Sequence, residues 1–243
     1  MRASDAVICV SRWVREAILS RAPEIPPARL LRIPNFVDCD ALQNDGGGKP
    51  KGRVIEETGL AGKPYLLYAG KLARNKGVLP MLRALAAAGV TLPLAAAAKG
   101  ELEADFVAEA GRLGIDLRML GWRTNEEVHD LLRGATALLF PSLWPEPLSR
   151  VLLEATALGT PIVATSTGGT TDIVRDGETG ILARSEKEFT EGIARLAGDA
   201  DLRRRLFAQA RRHAREQFDR GVVLDRVEEA YTQAARRSAG ETP

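Results

Sequence analysis

From Tyr65 onward, short apolar runs alternate with longer amphipathic segments. The runs are Tyr65–Ala69, Leu92–Ala97, Leu117–Leu120, Ala137–Phe140 and Ile162–Thr165, and helices are predicted to start at Lys76, Glu103, Thr124 and Leu148 between them. A strand whose residues are apolar without alternation is one buried on both faces, and parallel strands need a helix-length crossover between neighbours. The pattern therefore predicts an α/β fold, a Rossmann-like doubly wound parallel sheet, whose ligands sit at the carboxyl ends of the strands. Capping boxes mark two helix starts, Thr124 with Glu127 and Ser185 with Glu188.

The ends of the chain do not follow this repeat. Asp5–Ser11 reads as a strand ending in a turn, Arg12–Arg21 as a helix with Trp13, Ala17 and Ile18 on one side, and Leu30–Ile33 as another strand. Pro23–Pro27 breaks the helix, and Asn44–Pro50 is a glycine-rich loop. One strand and one helix cannot bury a core, so a domain boundary is expected between residues 22 and 50. At 243 residues the chain has room for one domain of about 150 residues and part of a second. The C-terminal part is predicted helical over Glu188–Ala197, Asp199–Arg215 and Arg220–Arg237, the last with Val223, Val227, Ala230, Tyr231 and Ala234 on one face. It reads as a packing helix with a solvated basic face rather than a membrane-surface helix, because no large aromatic anchors accompany its arginines.

Charge and composition remove several functions. Lys and Arg number 34 against 32 Asp and Glu, a net +2 with no field for nucleic acid. No apolar run approaches the ~20 residues of a membrane-spanning helix, and the run before Ser11 is too short for a signal-peptide core. A cytoplasmic protein without a transmembrane segment is expected. Cys9 and Cys39 have no CxxC spacing, so neither a disulfide framework nor a zinc site is indicated, and both read as buried thiols. His129 and His213 read as surface or packing residues.

Two segments could carry chemistry. Gly70-Lys-Leu-Ala-Arg-Asn-Lys-Gly77 is a βα turn in which a glycine admits close backbone approach, a helix start favours an anion, and Lys71, Arg74 and Lys76 add positive charge. It lacks the GxxxxGK[ST] and GxGxxG orders, so neither a P-loop NTPase nor a dinucleotide enzyme is indicated. Spacing alone leaves solvated lysines and phosphate binding both open. In Phe140-Pro-Ser-Leu-Trp-Pro-Glu-Pro-Leu-Ser-Arg-Val-Leu-Leu-Glu154, Pro147 is predicted at the first helical position, freeing the amides of Leu148, Ser149 and Arg150. Glu146 and Glu154 would face one cleft, where carboxylates accept hydrogen bonds from sugar hydroxyls. Two solvated helix carboxylates is the competing interpretation.

The Glu-x7-Glu block resembles the signature of retaining family 4 glycosyltransferases of the GT-B fold. Ile33-Pro-Asn-Phe-Val-Asp38, the Gly70–Gly77 turn and Ile162-Val-Ala-Thr-Ser-Thr-Gly-Gly-Thr-Thr-Asp-Ile-Val174 resemble the family's other segments in the same order. The resemblance runs from about Asp5 to Tyr231 and covers the C-terminal, nucleotide-sugar-binding half of that fold, the N-terminal acceptor domain being absent. It implies a strand–helix remnant of the N-terminal domain at residues 1–22, a linker and entry strand at 23–50, a donor-binding domain at 51–218, and a crossover helix and tail at 219–243.

The implied function is retaining glycosyl transfer, of hexosyltransferase type, from a nucleotide-diphosphate sugar, with an acceptor-binding domain or partner polypeptide supplied from elsewhere. The implied roles are diphosphate binding for Lys71 and Lys76, contact with the transferred sugar for Glu146, and contact with the ribose for Glu154. Arg123, in Gly121-Trp-Arg123, would lie beside the base, and the amides around Leu148 and Ser149 would face phosphate and sugar. Catalysis is assigned to Glu146 and Lys76, with no cofactor and no metal. Lys71 replaces the family's arginine, which keeps the charge and loses a planar two-pronged contact. Phe36, the segment Ala95–Lys99, Ser149 and Asp172 also depart from the pattern. The alternatives are a non-catalytic nucleotide-sugar-binding module or subunit, a truncated product inactive alone, and a sugar-nucleotide epimerase of the same fold.

Overall fold

The computed structural model describes residues 4–44 and 53–238. Strand β1 (Val7–Cys9), helix α1 (Arg12–Arg21), strand β2 (Leu30–Arg32) and helices α2 (Cys39–Asn44) and α3 (Arg53–Glu57) precede the main repeat. The repeat runs β3 (Leu66–Lys71), α4 (Val78–Ala87), β4 (Leu94–Lys99), α5 (Glu103–Arg112), β5 (Leu117–Met119), α6 (Asn125–Gly134), β6 (Ala137–Phe140), α7 (Arg150–Leu158), β7 (Ile162–Thr165), α8 (Thr170–Ile173) and β8 (Ile181–Ala183). Helices α9 (Glu186–Gly198), α10 (Ala200–Phe218) and α11 (Arg220–Ser238) follow. The glycine-rich loop expected at Asn44–Pro50 lies outside the described residues from residue 45 onward.

β3 to β8 form one parallel sheet in the order β5-β4-β3-β6-β7-β8. The order reverses between β3 and β6, the position at which open α/β sheets bind ligands. The apolar strands serve two cores by simple alternation. Leu67, Ala95, Ala97, Leu138 and Phe140 point to a layer with α6 and α7, whereas Leu66, Tyr68, Ala96, Leu139 and Val163 point to one with α4, α5 and α9. The doubly wound sheet expected from the sequence is thus present.

β1 and β2 pair in parallel as a separate two-stranded sheet around Cys9, Ile25 and Leu30. This unit joins the main body through Ile33, which packs on Val223 and Ala230 of α11. The Val37 amide donates to the Phe218 carbonyl at 2.9 Å, and the Asp219 carboxylate accepts from the Cys39 amide at 3.1 Å. Tyr231, expected on the packing face of the last helix, is 74% exposed. No helix among the described residues is long and apolar enough to cross a membrane.

Candidate functional site

β3 and β6 end side by side, and the loops that leave them shape a cavity of about 410 Å3 at the point where the strand order reverses. Lys71, Lys76, Arg123, Glu146, Leu148, Ser149 and Glu154, the residues singled out by sequence, all line it. Sequence separation says nothing of this convergence; the topology produces it.

The turn after β3 differs from expectation. Arg74–Lys76 is a single 3-10 turn and α4 begins at Val78, because Gly77 takes φ +65° and stops the helix running back to Lys76. A Cβ on Gly77 would lie 2.2 Å from the Pro141 carbonyl oxygen, so the turn packs backbone to backbone on the loop after β6. The Leu143 and Trp144 amides both donate to the Asn75 carbonyl at 3.0 Å, completing that junction. Lys76 is thereby brought to Glu146, with which it forms a direct ion pair. Ser142 Oγ donates to the same Glu146 oxygen at 3.3 Å. The Lys71 side chain, by contrast, is exposed and has no partner among the described residues.

The start of α7 is also displaced. The N-cap is Ser149, so Pro147 lies outside the helix and the first helical residue is Arg150. The reason is a long-range contact: the Gly169 amide donates to the Glu146 carbonyl at 2.7 Å, and a Cβ on Gly169 would lie 2.0 Å from the Pro147 oxygen. Residues 146–147 are held against the crossover after β7, and the helix starts only after them. Its orphan amides are those of Arg150, Val151 and Leu152. Leu148 buries its side chain in the core, which leaves its backbone to border the cavity.

Glu154 is 5% exposed and lies between Arg150 Nε at 2.8 Å and His129 Nε2 at 3.4 Å. Burial pushes its pKa up, but the contacts with His129 and Arg150 outweigh that and hold the carboxyl below its ordinary value. Burial, with the Glu146 charge in support, drives the Tyr68 hydroxyl well above its usual range, so it stays protonated and donates to the Lys71 carbonyl at 2.8 Å. Arg123 is committed to the cavity wall: Nε donates to the Leu120 carbonyl at 2.9 Å and Nη1 to Glu127 at 3.1 Å. The Thr124–Glu127 capping box is complete, whereas Glu188 reaches the amide of Arg184 rather than that of the Ser185 N-cap. Trp122 lines the same cavity and is 66% exposed.

Sequence reasoning gave His129 no task, yet it contacts Glu154; its signal was the register of α6, which puts Asn125, Val128 and His129 on one side. Arg150 was named only for its amide. Among the described residues no group of three His, Cys, Asp or Glu side chains is placed to hold a metal.

An exposed helix start, two lysines and two carboxylates meet at the switch point of a parallel sheet, groups whose chemistry suits a phosphorylated, hydroxyl-rich ligand. Residues 52–213 match the family model for glycosyl transferases group 1, and the chain belongs to that family. It is 30% identical over 248 residues to the alpha-maltose-1-phosphate synthase of Mycolicibacterium smegmatis, covering 95% of this chain and 64% of the relative. The Mycobacterium tuberculosis (strain H37Rv) protein of that name is 33% identical over 205 residues, covering 80% and 52%. Among solved structures, a Rickettsia africae glycosyltransferase superposes with TM-score 0.82 at 18% identity, and Anabaena HepE, solved with UDP and glucose, with 0.81 at 22%. Both alignments cover 95% of this chain and 64% of the other. The fold is that of a GT-B glycosyltransferase, and the chain spans roughly two thirds or less of the relatives it matches.

Proposed function

We propose that this chain supplies the donor-binding half of a retaining, family 4-type hexosyltransferase that takes its sugar from a nucleotide diphosphate. The observation that carries this reading is the shared cavity in which Lys76 pairs with Glu146 while Lys71, Arg150 and the start of α7 stand around it.

Lys71, Lys76 and the α7 amides bind the diphosphate and stabilise the charge that grows on its oxygen as the glycosidic bond breaks. Glu146, released from Lys76, accepts hydrogen bonds from hydroxyls of the transferred sugar. Glu154 accepts from the ribose hydroxyls, and the loop carrying Trp122 and Arg123 lies beside the base. The reading divides the chain into a strand–helix piece at 1–22, a linker and entry strand at 23–50, a donor domain at 51–218 and a crossover segment at 219–243. Among the described residues there is one six-stranded layer and one two-stranded sheet. In this reading the acceptor is bound by polypeptide other than these residues. Two buried free thiols suit the reducing cytoplasm.

Calorimetric titration with UDP-glucose, followed by turnover assays alone and with an acceptor domain supplied, tests the reading. Saturable binding with turnover in the second assay is expected. Binding without turnover in either would leave a nucleotide-sugar-binding module, and no binding of any nucleotide sugar would overturn the reading.

A further inference from the structure

Away from the main cavity, a second concave site of about 180 Å3 lies where the β1–β2 unit meets α10 and α11. Four arginines line it from four different elements: Arg12 at the start of α1, Arg32 at the end of β2, Arg175 after α8 and Arg226 in α11. Among the described residues lining it, Asp172 is the one carboxylate, and it is already committed. Its two oxygens accept from the Arg12 backbone amide at 3.3 Å each, and one pairs with Arg32 Nη1 at 3.1 Å. The other guanidinium groups are loosely held. Arg12 Nη2 lies 3.5 Å from Thr171 Oγ1, Arg226 Nη1 3.5 Å from the Gln217 carbonyl, and Arg175 Nη1 3.9 Å from Glu178.

His213 completes the wall. It is 5% exposed; the Ile173 carbonyl faces the ring without closing a hydrogen bond, and neither ring nitrogen has another partner among the described residues. Buried polar atoms are nearly always satisfied, so an unmatched imidazole lining a cationic pocket calls for a partner from outside the chain. Phe218, edge-on at 5.2 Å, fixes the ring. Burial first, and then the Arg175 charge, hold the ring below its ordinary pKa, so it is neutral and offers one N–H and one lone pair.

We propose that this pocket binds a phosphate monoester dianion, with Arg12, Arg175 and Arg226 around the phosphate and an N–H of His213 donating to it. Arginine suits the task because its planar fork matches phosphate oxygens two at a time. A water takes about 30 Å3 of liquid volume, so the pocket has room for a phosphate and several more heavy atoms. The ligand is either free phosphate or a small phosphorylated polyol, and the proposal is independent of the donor reading of the main cavity.

The chain's two histidines make the test direct, because one lies beside each cavity. Imidazole 15N spectra are recorded during titration with inorganic phosphate and, separately, with a hexose 6-phosphate. A saturable shift of His213 is expected, in the wild-type chain and equally in Lys71→Ala/Lys76→Ala. Arg175→Gln and Arg226→Gln are each expected to weaken it about tenfold in Kd. Tighter binding of the hexose phosphate identifies a phosphorylated polyol, and equal or weaker binding identifies free phosphate. The proposal is overturned if His213 stays unmoved at millimolar phosphate, if chloride at matched ionic strength gives the same shift, or if both arginine variants respond like the wild type. Since Arg226 is partly buried, a phosphate-dependent rise in the wild-type Tm serves as a readout needing no variant, and its absence would count against the site.

Discussion

Lys76 and Glu146 stand 70 residues apart in the chain and meet in an ion pair across the mouth of the switch-point cavity. One comes from the turn after β3 and the other from the loop after β6, so the pair joins the two halves of the doubly wound sheet. In the proposed enzyme a donor diphosphate competes with Glu146 for the lysine. Lys76→Ala is expected to slow transfer by about 10²–10³-fold in the assembled enzyme, the usual cost of one group that stabilises developing charge. Steady-state rates with UDP-glucose check this, and an undiminished rate would remove Lys76 from catalysis.

Glu154 makes a separate prediction about the nucleotide. If its carboxylate accepts from the ribose, UDP should bind more tightly than 2′-deoxy-UDP, and Glu154→Gln should abolish most of that preference. Calorimetry with the two nucleotides reads the difference. Equal discrimination in both proteins would place the ribose elsewhere.

The same carboxylate bears on acid stability. Its folded-state pKa lies below the ordinary carboxylate value of 4.5. A depressed acid pKa contributes stability that is present above the unfolded-state value and is lost as pH falls through the folded one. Urea midpoints measured from about pH 6 to pH 3 should therefore fall more steeply for the wild-type chain than for Glu154→Gln. Parallel curves would show that Glu154 is not linked to folding.

Gly169 and Gly77 are where backbone meets backbone around the cavity. Gly169→Ala would press a methyl group onto the Pro147 oxygen, and Gly77→Ala would add a clash with Pro141 to an unfavourable φ. Each is expected to destabilise the protein by about 1–3 kcal/mol, which for a chain of this size lowers Tm by roughly 2–4 °C per kcal/mol. Thermal unfolding measures the cost, and nucleotide titration of the folded variants shows whether the Glu146 loop has moved.

Burial, reinforced by Asp219, pushes the Cys39 thiol up to about 12, and burial also raises that of Cys9. Thiolate is the reactive form, so both cysteines should resist iodoacetamide at pH 8 in the folded chain and react in urea. Rapid labelling of either in native buffer would contradict their placement.

The repeat of apolar runs identified five of the six strands of the main sheet, because a buried parallel strand writes its environment into consecutive residues. β8 has the same apolar character, but Ile181-Leu182-Ala183 is a run of only three residues, too short to stand out in the sequence. The residues around the cavity were legible as motifs, but their local geometry was not. Pro147 has the chemistry of a first helical residue and is kept out of the helix by Gly169, a partner from the next crossover. His129 and Arg150 take their significance from facing Glu154: Arg150 does so from the same helix at i,i+4, a spacing visible in the sequence, and His129 from α6, where only the packing of α6 on α7 makes the pair.

α10 touches both layers. Leu202 and Leu206 near its start belong to the core on one side of the sheet, and Ala214 and Phe218 near its end to the core on the other. A single rigid rod therefore laces the two faces together around the edge, so that neither can melt while its opposite number survives. Cutting the chain ahead of Ala200 would be expected to unseat both at once, which makes this helix the seam on which cooperative unfolding turns.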